Sequence, residues 1–224
     1  RIDYFKKQDL VLKDTIMSQA IGINDTIIYN EVEYTIDSPE ARFTETNWEK
    51  FPGFTFKTGA NWNIDESNNI FVNSGILSKA PRFNNVFNYD NETYFNTKNE
   101  IVKAIEFGYG YKSNKFSLNL NIYNTAWENK PQSGTTVLDG GETASYNING
   151  INALHQGIEL DFAWKISKSF KYEFLSSIGN WRWNSGDTVN FYLNQQLIES
   201  DYFDARGVSV GDSPQTQIGS SVSY

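Results

Sequence analysis

The chain of 224 residues has no cysteine, and this absence excludes both a disulfide framework and a cysteine-based metal site. It also has no run of about 18 apolar residues, so no transmembrane helix is predicted. A transmembrane β-barrel is still allowed, because its strands alternate between apolar and polar side chains and are missed by hydropathy averages. The chain begins at Arg1 without a charged and then apolar leader, so we expect a mature or truncated product.

Positive charge is scarce relative to negative charge. The 19 Lys and Arg residues stand against 27 Asp and Glu residues, which gives a net charge of -8 and a pI near 4.7. Nucleic-acid binding requires a basic surface, so no nucleic-acid partner is expected. Hydrophobic residues make up 39% of the chain and aromatic residues 16%, with a mean hydropathy of -0.53. Aromatic and β-branched side chains fit pleated surfaces, so this composition predicts an all-β protein.

Alternation of apolar and polar side chains runs through three pairs of segments. In residues 54–77, apolar Phe56 and Trp62 alternate with polar Lys57 and Asn61. A period of two residues predicts a β-strand with one apolar and one polar side. Eight predicted strands result: 54–64 with 70–77, 101–111 with 116–123, 154–164 with 172–178, and shorter strands at 2–11 and 217–224.

The predicted connections alternate between short turns and long polar loops. The turns are 65–69, 113–115 and 166–169, and the loops are about 12–50, 81–99, 128–152 and 184–214. Outer-membrane barrels have this asymmetry, with short turns on the periplasmic side and long loops outside. Strands of about 9 to 13 residues also match the roughly 9 to 11 needed to cross a bilayer. The pattern therefore predicts an antiparallel transmembrane β-barrel segment of about eight strands, with its apolar side toward lipid.

The polar side of these strands suits a wet barrel interior better than a packed core. It is rich in Asn, Ser, Gly and Thr, with a few charges. Tyr and Trp gather near the strand ends beside the short turns, as in an interfacial aromatic girdle. The side chains predicted to line the lumen are Lys57, Asn61, Asn63, Glu106, Asn119, Asn121, His155, Glu159 and Asp161.

Catalytic and metal-binding roles have little support in the sequence. His155 is the only histidine and has no cysteine to join it as a ligand, so no metal site is predicted. Glu159 and Asp161 lie two residues apart and share one face, which permits a paired-carboxylate site in form. Wall carboxylates in a wet barrel more often pair with Arg or Lys. We therefore predict no catalytic residue and no cofactor.

Aromatic side chains near the predicted outer rim are the candidates for contact with a solute. Their rings can stack on a ligand, and a guanidinium group can join such a stack. Packing within the girdle and the loops is a competing explanation, and the sequence leaves both open. The candidate residues are Tyr94, Phe95, Trp127, Trp181, Arg182 and Trp183.

Motifs in residues 68–87, 100–131 and 151–165 resemble the barrel of TonB-dependent outer-membrane receptors of the Bacteroidetes type. They are N-x-F-x-N-x-G, S-x-A-P, E-x-G-Y, N-x-Y-x-T-x-W and A-L-H-Q-G-I-E-L-D, followed by S-I-G-N-W-R-W. The resemblance covers roughly residues 50–224. It implies that residues 1–224 are part of one barrel domain of about 22 strands, with the plug domain and the barrel ends absent from this chain.

The resemblance also implies a location, a function and partners. Such receptors lie in the bacterial outer membrane and take up a scarce solute, for example a siderophore or another metal complex, by active transport without bond-making chemistry. The implied partners are the TonB complex through the N-terminal part absent here, outer-membrane lipid and lipopolysaccharide, and a surface lipoprotein.

Two other interpretations stay open at this stage. A secreted carbohydrate-binding β-sandwich module would also show period-two strands, polar loops and aromatic platforms. A small outer-membrane enzyme barrel would need a reactive cluster at its rim, and Glu159 and His155 are the residues it would use.

Overall fold

The structure is a computed structural model that describes residues 1–6, 12–13, 20–21, 24–35, 38, 46–87, 93–94, 97–193, 196–211 and 213–224. This part of the chain is built of antiparallel strands, which confirms the all-β prediction, and it contains no helix long and apolar enough to cross a membrane. The elements are β1 (Ile2–Phe5), β2 (Leu12–Lys13), β3 (Ala20–Ile21), β4 (Ile27–Tyr29), β5 (Val32–Tyr34), β6 (Glu49–Pro52), β7 (Thr55–Asn63), β8 (Asn68–Lys79), a 3-10 helix (Phe83–Asn85), β9 (Glu100–Lys112), β10 (Phe116–Val137), β11 (Thr143–Lys165), β12 (Lys171–Trp183), β13 (Gly186–Leu193), β14 (Gln196–Asp204) and β15 (Thr216–Ser223).

One nine-stranded sheet dominates the fold. Seven of its strands follow one another as antiparallel neighbours in the order β7, β8, β9, β10, β11, β12 and β15, and we call these seven strands the wall. The hairpin of β13 and β14 pairs through β13 with residues 145–148. These residues lie in the half of β11 that is far from the short turns, and we call this side of the sheet the outer side. In the described ranges the sheet is open, because β7 and β15 each pair with one neighbour within it.

The short turns are confirmed, and one long loop is not. Strand pairs β7/β8, β9/β10 and β11/β12 form the three predicted hairpins. The loop predicted at about 128–152 is wrong, because β10 continues to Val137 and β11 begins only at Thr143. Two register shifts interrupt the alternation here, and polar pairs such as Thr135 and Ser145 extend the ladder, so no regular period of two marks these strands in the sequence.

The other predicted loops differ in part from the structure. Segment 184–214 contains the hairpin of β13 and β14, and segment 81–99 contains the 3-10 helix. Segment 12–50 is described in part and contains the small hairpins β2/β3 and β4/β5, whereas residues 7–11 of the first predicted strand lie outside the described residues. The structure therefore has more strands than the eight predicted, because polar outer segments pair as well.

The register of the wall places apolar and polar side chains on opposite faces. On the apolar face, Val72, Phe107, Ile122, Ile158 and Ile178 lie opposite one another across five neighbouring strands. Their exposed fractions run from 39% to 59%. A continuous row of exposed apolar side chains is unfavourable in water, so this face requires an apolar environment.

Glycines on the polar face are covered by side chains of neighbouring strands. Tyr123 lies over Gly157, and the ring of Phe71 lies over Gly108. A β-carbon at Gly157 would also lie 2.8 Å from the carbonyl oxygen of Ile178, so the close approach depends on glycine. Large side chains on this face thus lie along the sheet, over the glycines.

Local hydrogen bonds close the short turn after β7. The carboxylate of Asp65 accepts bonds from the side-chain amide of Asn68 and from the backbone N–H groups of Ser67 and Asn68. These bonds stabilise the charged form and hold the pKa of Asp65 below its ordinary value. The turn is therefore fixed by its own polar groups and needs no longer loop.

Candidate functional site

An aromatic cluster lies on the polar face near the outer end of the wall. The rings of Trp127, His155 and Trp181 stack in sequence, with centroids 6.1 Å apart in the first pair and 5.3 Å in the second. Lys130 lies over two indoles, with Nζ 4.7 Å from the Trp127 centroid and 5.7 Å from the Trp183 centroid. These five residues form the aromatic cluster, which combines ring faces with one ammonium group.

Cross-strand pairing brings the rings together. His155 of β11 lies directly opposite Trp181 of β12, and Ala153 lies opposite both Trp127 and Trp183. Residues that face each other in an antiparallel pair share one side of the sheet. The cluster therefore joins three adjacent strands.

Lys130 reaches this face through a β-bulge. It stands three positions after Trp127, and this odd spacing would place the two on opposite faces of a regular strand. The register of β10 shifts between them, and Asn129 has a φ of 56°. The extra residue turns Lys130 toward the polar face. Alternation in the sequence carries no signal for this, so the sequence analysis missed Lys130.

Hydrogen bonds hold Trp181 in place. Its Nε1 donates to the hydroxyl of Tyr123 at 2.8 Å. The backbone N–H of Trp181 donates to Oε1 of Gln215 at 2.9 Å, and Nε2 of Gln215 donates to the backbone carbonyl of Trp181 at 3.1 Å. A side chain fixed in this way loses little further freedom when a ligand stacks on it.

Trp183 is held by packing. It lies against a buried apolar group under the β13/β14 hairpin, and that group consists of Ile148, Ile151, Val189 and Ala205. The outer hairpin thus supports one side of the aromatic cluster.

His155 contributes an unpaired polar atom. Its Nε2 is buried and has no hydrogen-bond partner among the described residues. Leaving a buried polar atom unpaired costs roughly 1 to 3 kcal/mol. A ligand that supplies a hydrogen-bond partner to this atom would recover part of that cost.

Amides and carboxylates occupy the polar face closer to the short turns. Nδ2 of Asn119 donates to Asp161 at 3.0 Å, and Nδ2 of Asn121 donates to Glu159 at 3.4 Å. Farther along the wall, a groove of about 450 Å³ is lined by Lys57, Glu106 and their neighbours. The two amide–carboxylate pairs thus join β10 to β11 by side-chain hydrogen bonds on this face.

The structure brings together some of the predicted site residues. Trp127, Trp181 and Trp183 meet in the aromatic cluster, whereas Tyr94 packs against Tyr192 with centroids 6.4 Å apart. Phe95 lies outside the described residues. The register places all nine predicted lumen-lining residues on the polar face: Lys57, Asn61, Asn63, Glu106, Asn119, Asn121, His155, Glu159 and Asp161.

Arg182, another candidate for contact with a solute, lies outside the aromatic cluster. It lies opposite Leu154 on the apolar face, because it stands between Trp181 and Trp183 on a regular strand. Its Nη1 donates to the carbonyl of Gly207 at 2.6 Å, and its Nε donates to Oδ1 of Asn180 at 2.8 Å. Successive side chains of a strand point to opposite faces, so residues 181–183 alone predict that Arg182 faces away from the two tryptophans.

The polar face has few features of a metal or catalytic site. In the part of the chain that the structure describes, no group of three or more His, Cys, Asp or Glu side chains could hold a metal ion. Glu159 and Asp161 each accept a bond from an asparagine amide of β10. The arrangement is suited to stacking and hydrogen bonding with a solute.

Comparisons with known proteins agree with this architecture. Residues 27–224 match the family model described as "TonB dependent receptor-like, beta-barrel". Among solved structures, the chain is similar to one described as "Copper transporter OprC", with a TM-score of 0.55 and 12% identity over 85% of this chain and 28% of that chain. At this identity the likeness concerns the fold alone. No curated protein matches the chain.

Proposed function

This chain belongs to the TonB-dependent receptor-like β-barrel family, and we propose that it forms part of the wall and outer rim of a bacterial outer-membrane receptor that actively takes up a scarce solute. The observation that carries this proposal is the separation of side chains on the wall, with a row of apolar side chains on one face and polar groups on the other. Lipid on one side and a wet interior on the other would satisfy both faces.

The solute in this proposal is a metal complex, such as a siderophore complex, taken up by a receptor of the Bacteroidetes type. The similar solved structure is described as a copper transporter, and the proposal carries a metal-type solute over from it to this chain. The aromatic cluster favours contact with the organic part of the complex, since indole faces stack on planar groups and Lys130 can attract an anionic substituent.

The remaining parts of the receptor belong to the same proposal. The chain spans 28% of the length of the similar solved structure, so the other strands and the plug domain would lie outside this chain. The TonB complex would act on the N-terminal part and provide the energy, a surface lipoprotein could assist at the outer loops, and the receptor would perform no bond-making chemistry.

Replacing Trp181 by alanine in the full-length receptor is expected to weaken solute binding about tenfold. The change removes one face of the stack with His155 and the anchor to Tyr123, and a loss of about 1.4 kcal/mol corresponds to a factor of ten. The measurement is whole-cell uptake of radiolabelled iron supplied as catecholate or hydroxamate complexes, with radiolabelled copper as a third probe.

The control is Trp164→Ala, which removes an indole of the apolar face near a short turn. It should leave the concentration dependence of uptake unchanged. Deletion of TonB should abolish uptake. Equal uptake with and without TonB would contradict the transport proposal, whereas equal effects of the two tryptophan variants would contradict the assigned solute contact.

A further inference from the structure

The apolar face changes character at one level near its outer end. Asn124, Gln156 and Asn180 lie directly opposite one another on β10, β11 and β12, and we call them the amide row. Ile122 and Ile158, two residues closer to the short turns on β10 and β11, are aliphatic. Amides facing hydrocarbon would be costly to desolvate, so the amide row marks the level at which lipid headgroups begin.

A groove runs across this boundary. Its volume is about 520 Å³, and the amide row forms its polar lining. Its apolar lining consists of Ile105, Phe107, Ile122, Ile158 and Ile178. The groove thus offers an aliphatic floor to a hydrocarbon chain and hydrogen-bonding groups to whatever is attached to that chain.

The amide row is partly preorganised. Nε2 of Gln156 donates to Oδ1 of Asn124 at 2.8 Å, and Oδ1 of Asn180 accepts from Nε of Arg182 at 2.8 Å. These bonds fix the orientation of the amides and leave both asparagine Nδ2 groups to donate to a ligand.

Arg182 adds a positive charge beside the amide row. Two of its nitrogens donate to Asn180 and to the Gly207 carbonyl, and within the described residues it has no carboxylate partner. Lys103 is the other cation at this level of the face, and it is neutralised by Glu128 at 2.5 Å. The uncompensated charge therefore lies at Arg182.

We propose that the groove, the amide row and Arg182 form a binding site for a phosphorylated lipid of the outer leaflet. An acyl chain lies along the aliphatic floor, the amides donate to headgroup oxygens, and the guanidinium group of Arg182 binds the phosphate. Guanidinium and phosphate form charge-assisted hydrogen bonds that are roughly twice as strong as neutral ones. The proposal rests on the membrane location proposed above.

The test uses the full-length receptor, purified in mild detergent and mixed with diphosphoryl lipid A or with the same lipid after removal of its phosphates. Native mass spectrometry counts the lipids retained per receptor at increasing lipid concentration. Arg182→Gln is expected to weaken retention of the phosphorylated lipid about tenfold. Arg206→Gln is the matched control, because Arg206 is an exposed arginine whose charge is paired with Asp204, and it should retain lipid like the wild type.

The outcomes separate the two proposals. Equal retention of both lipids, or equal retention by Arg182→Gln and the wild type, would overturn the lipid site but leave the membrane wall intact. Retention of neither lipid would likewise overturn the lipid site, whereas the membrane location would be overturned only if the full-length receptor stayed soluble without detergent. If Arg182→Gln fails to fold, the double variant Gln156→Ala, Asn180→Ala is compared with the wild type instead. It should also retain less of the phosphorylated lipid, and equal retention would overturn the lipid site. If Arg182→Gln changed the number of receptor copies per complex but not the amount of bound lipid, the groove would be assigned to contact with a second copy. The lipid site would then be overturned.

Discussion

Replacing Leu120 by lysine is expected to destabilise the receptor by about 2 to 4 kcal/mol, which is the cost of a lysine facing lipid near the middle of the bilayer. Leu120 lies on the apolar face of β10, directly opposite Tyr109 and Leu160. An ammonium group at this position would have to leave water for hydrocarbon or distort the lipid around it. The measurement is the free energy of unfolding of the full-length receptor from lipid vesicles in a denaturant titration.

The matched control is lysine at the next residue. Asn121→Lys introduces the same group at the same depth but on the polar face, opposite Glu159, where it can form an ion pair. We expect this change to alter the unfolding free energy by less than about 1 kcal/mol. A similar cost for both variants would mean that the two faces of the wall do not meet different environments.

Replacing Gly157 by alanine is expected to destabilise the wall by about 1 to 3 kcal/mol, the range for overpacking. The added carbon would meet the hydroxyl of Tyr123 and lie 2.8 Å from the carbonyl oxygen of Ile178. The side chain can move, but the carbonyl belongs to the paired strand, so the backbones of β11 and β12 must separate. The unfolding free energy measures this loss.

A second consequence of Gly157→Ala is a change in the aromatic cluster. The displaced hydroxyl of Tyr123 is the acceptor for Nε1 of Trp181, so Trp181 would lose its anchor. Weaker solute uptake should therefore accompany the loss of stability. Gly140→Ala is the control, because a β-carbon at Gly140 meets nothing within 4 Å. If both variants were equally stable, the close packing over Gly157 would not contribute to stability.

The sequence was sufficient to predict the wall because one face of the wall is mostly apolar between the short turns and the amide row. Alternation at Phe107, Ile122 and Ile158 predicts strands and their facing, and the register confirms that these residues share one face. The same physics explains the wrong loop at about 128–152. Above the apolar band two register shifts interrupt the alternation, so pairs such as Thr135 and Ser145 form a ladder that hydropathy does not detect.

The candidate site was predictable only where the strands are regular. Trp127, His155 and Trp181 follow from alternation and pairing, and the same rule places Arg182 on the other face. Lys130 depends on a β-bulge, and the bulge depends on an irregular backbone at Asn129 rather than on any hydrophobic period. Tertiary packing under the outer hairpin, which fixes Trp183, was likewise invisible in the sequence.

The most direct test of the membrane wall is a cysteine scan of β10, made practical by the absence of cysteine from residues 1–224. Single cysteines at 117–122 of the full-length receptor in lipid vesicles would carry a nitroxide label, and its collisions with oxygen and with a water-soluble nickel complex would be compared. We expect 118, 120 and 122 to favour oxygen, which dissolves in lipid, and 117, 119 and 121 to favour nickel. A profile without this two-residue alternation would contradict the membrane wall.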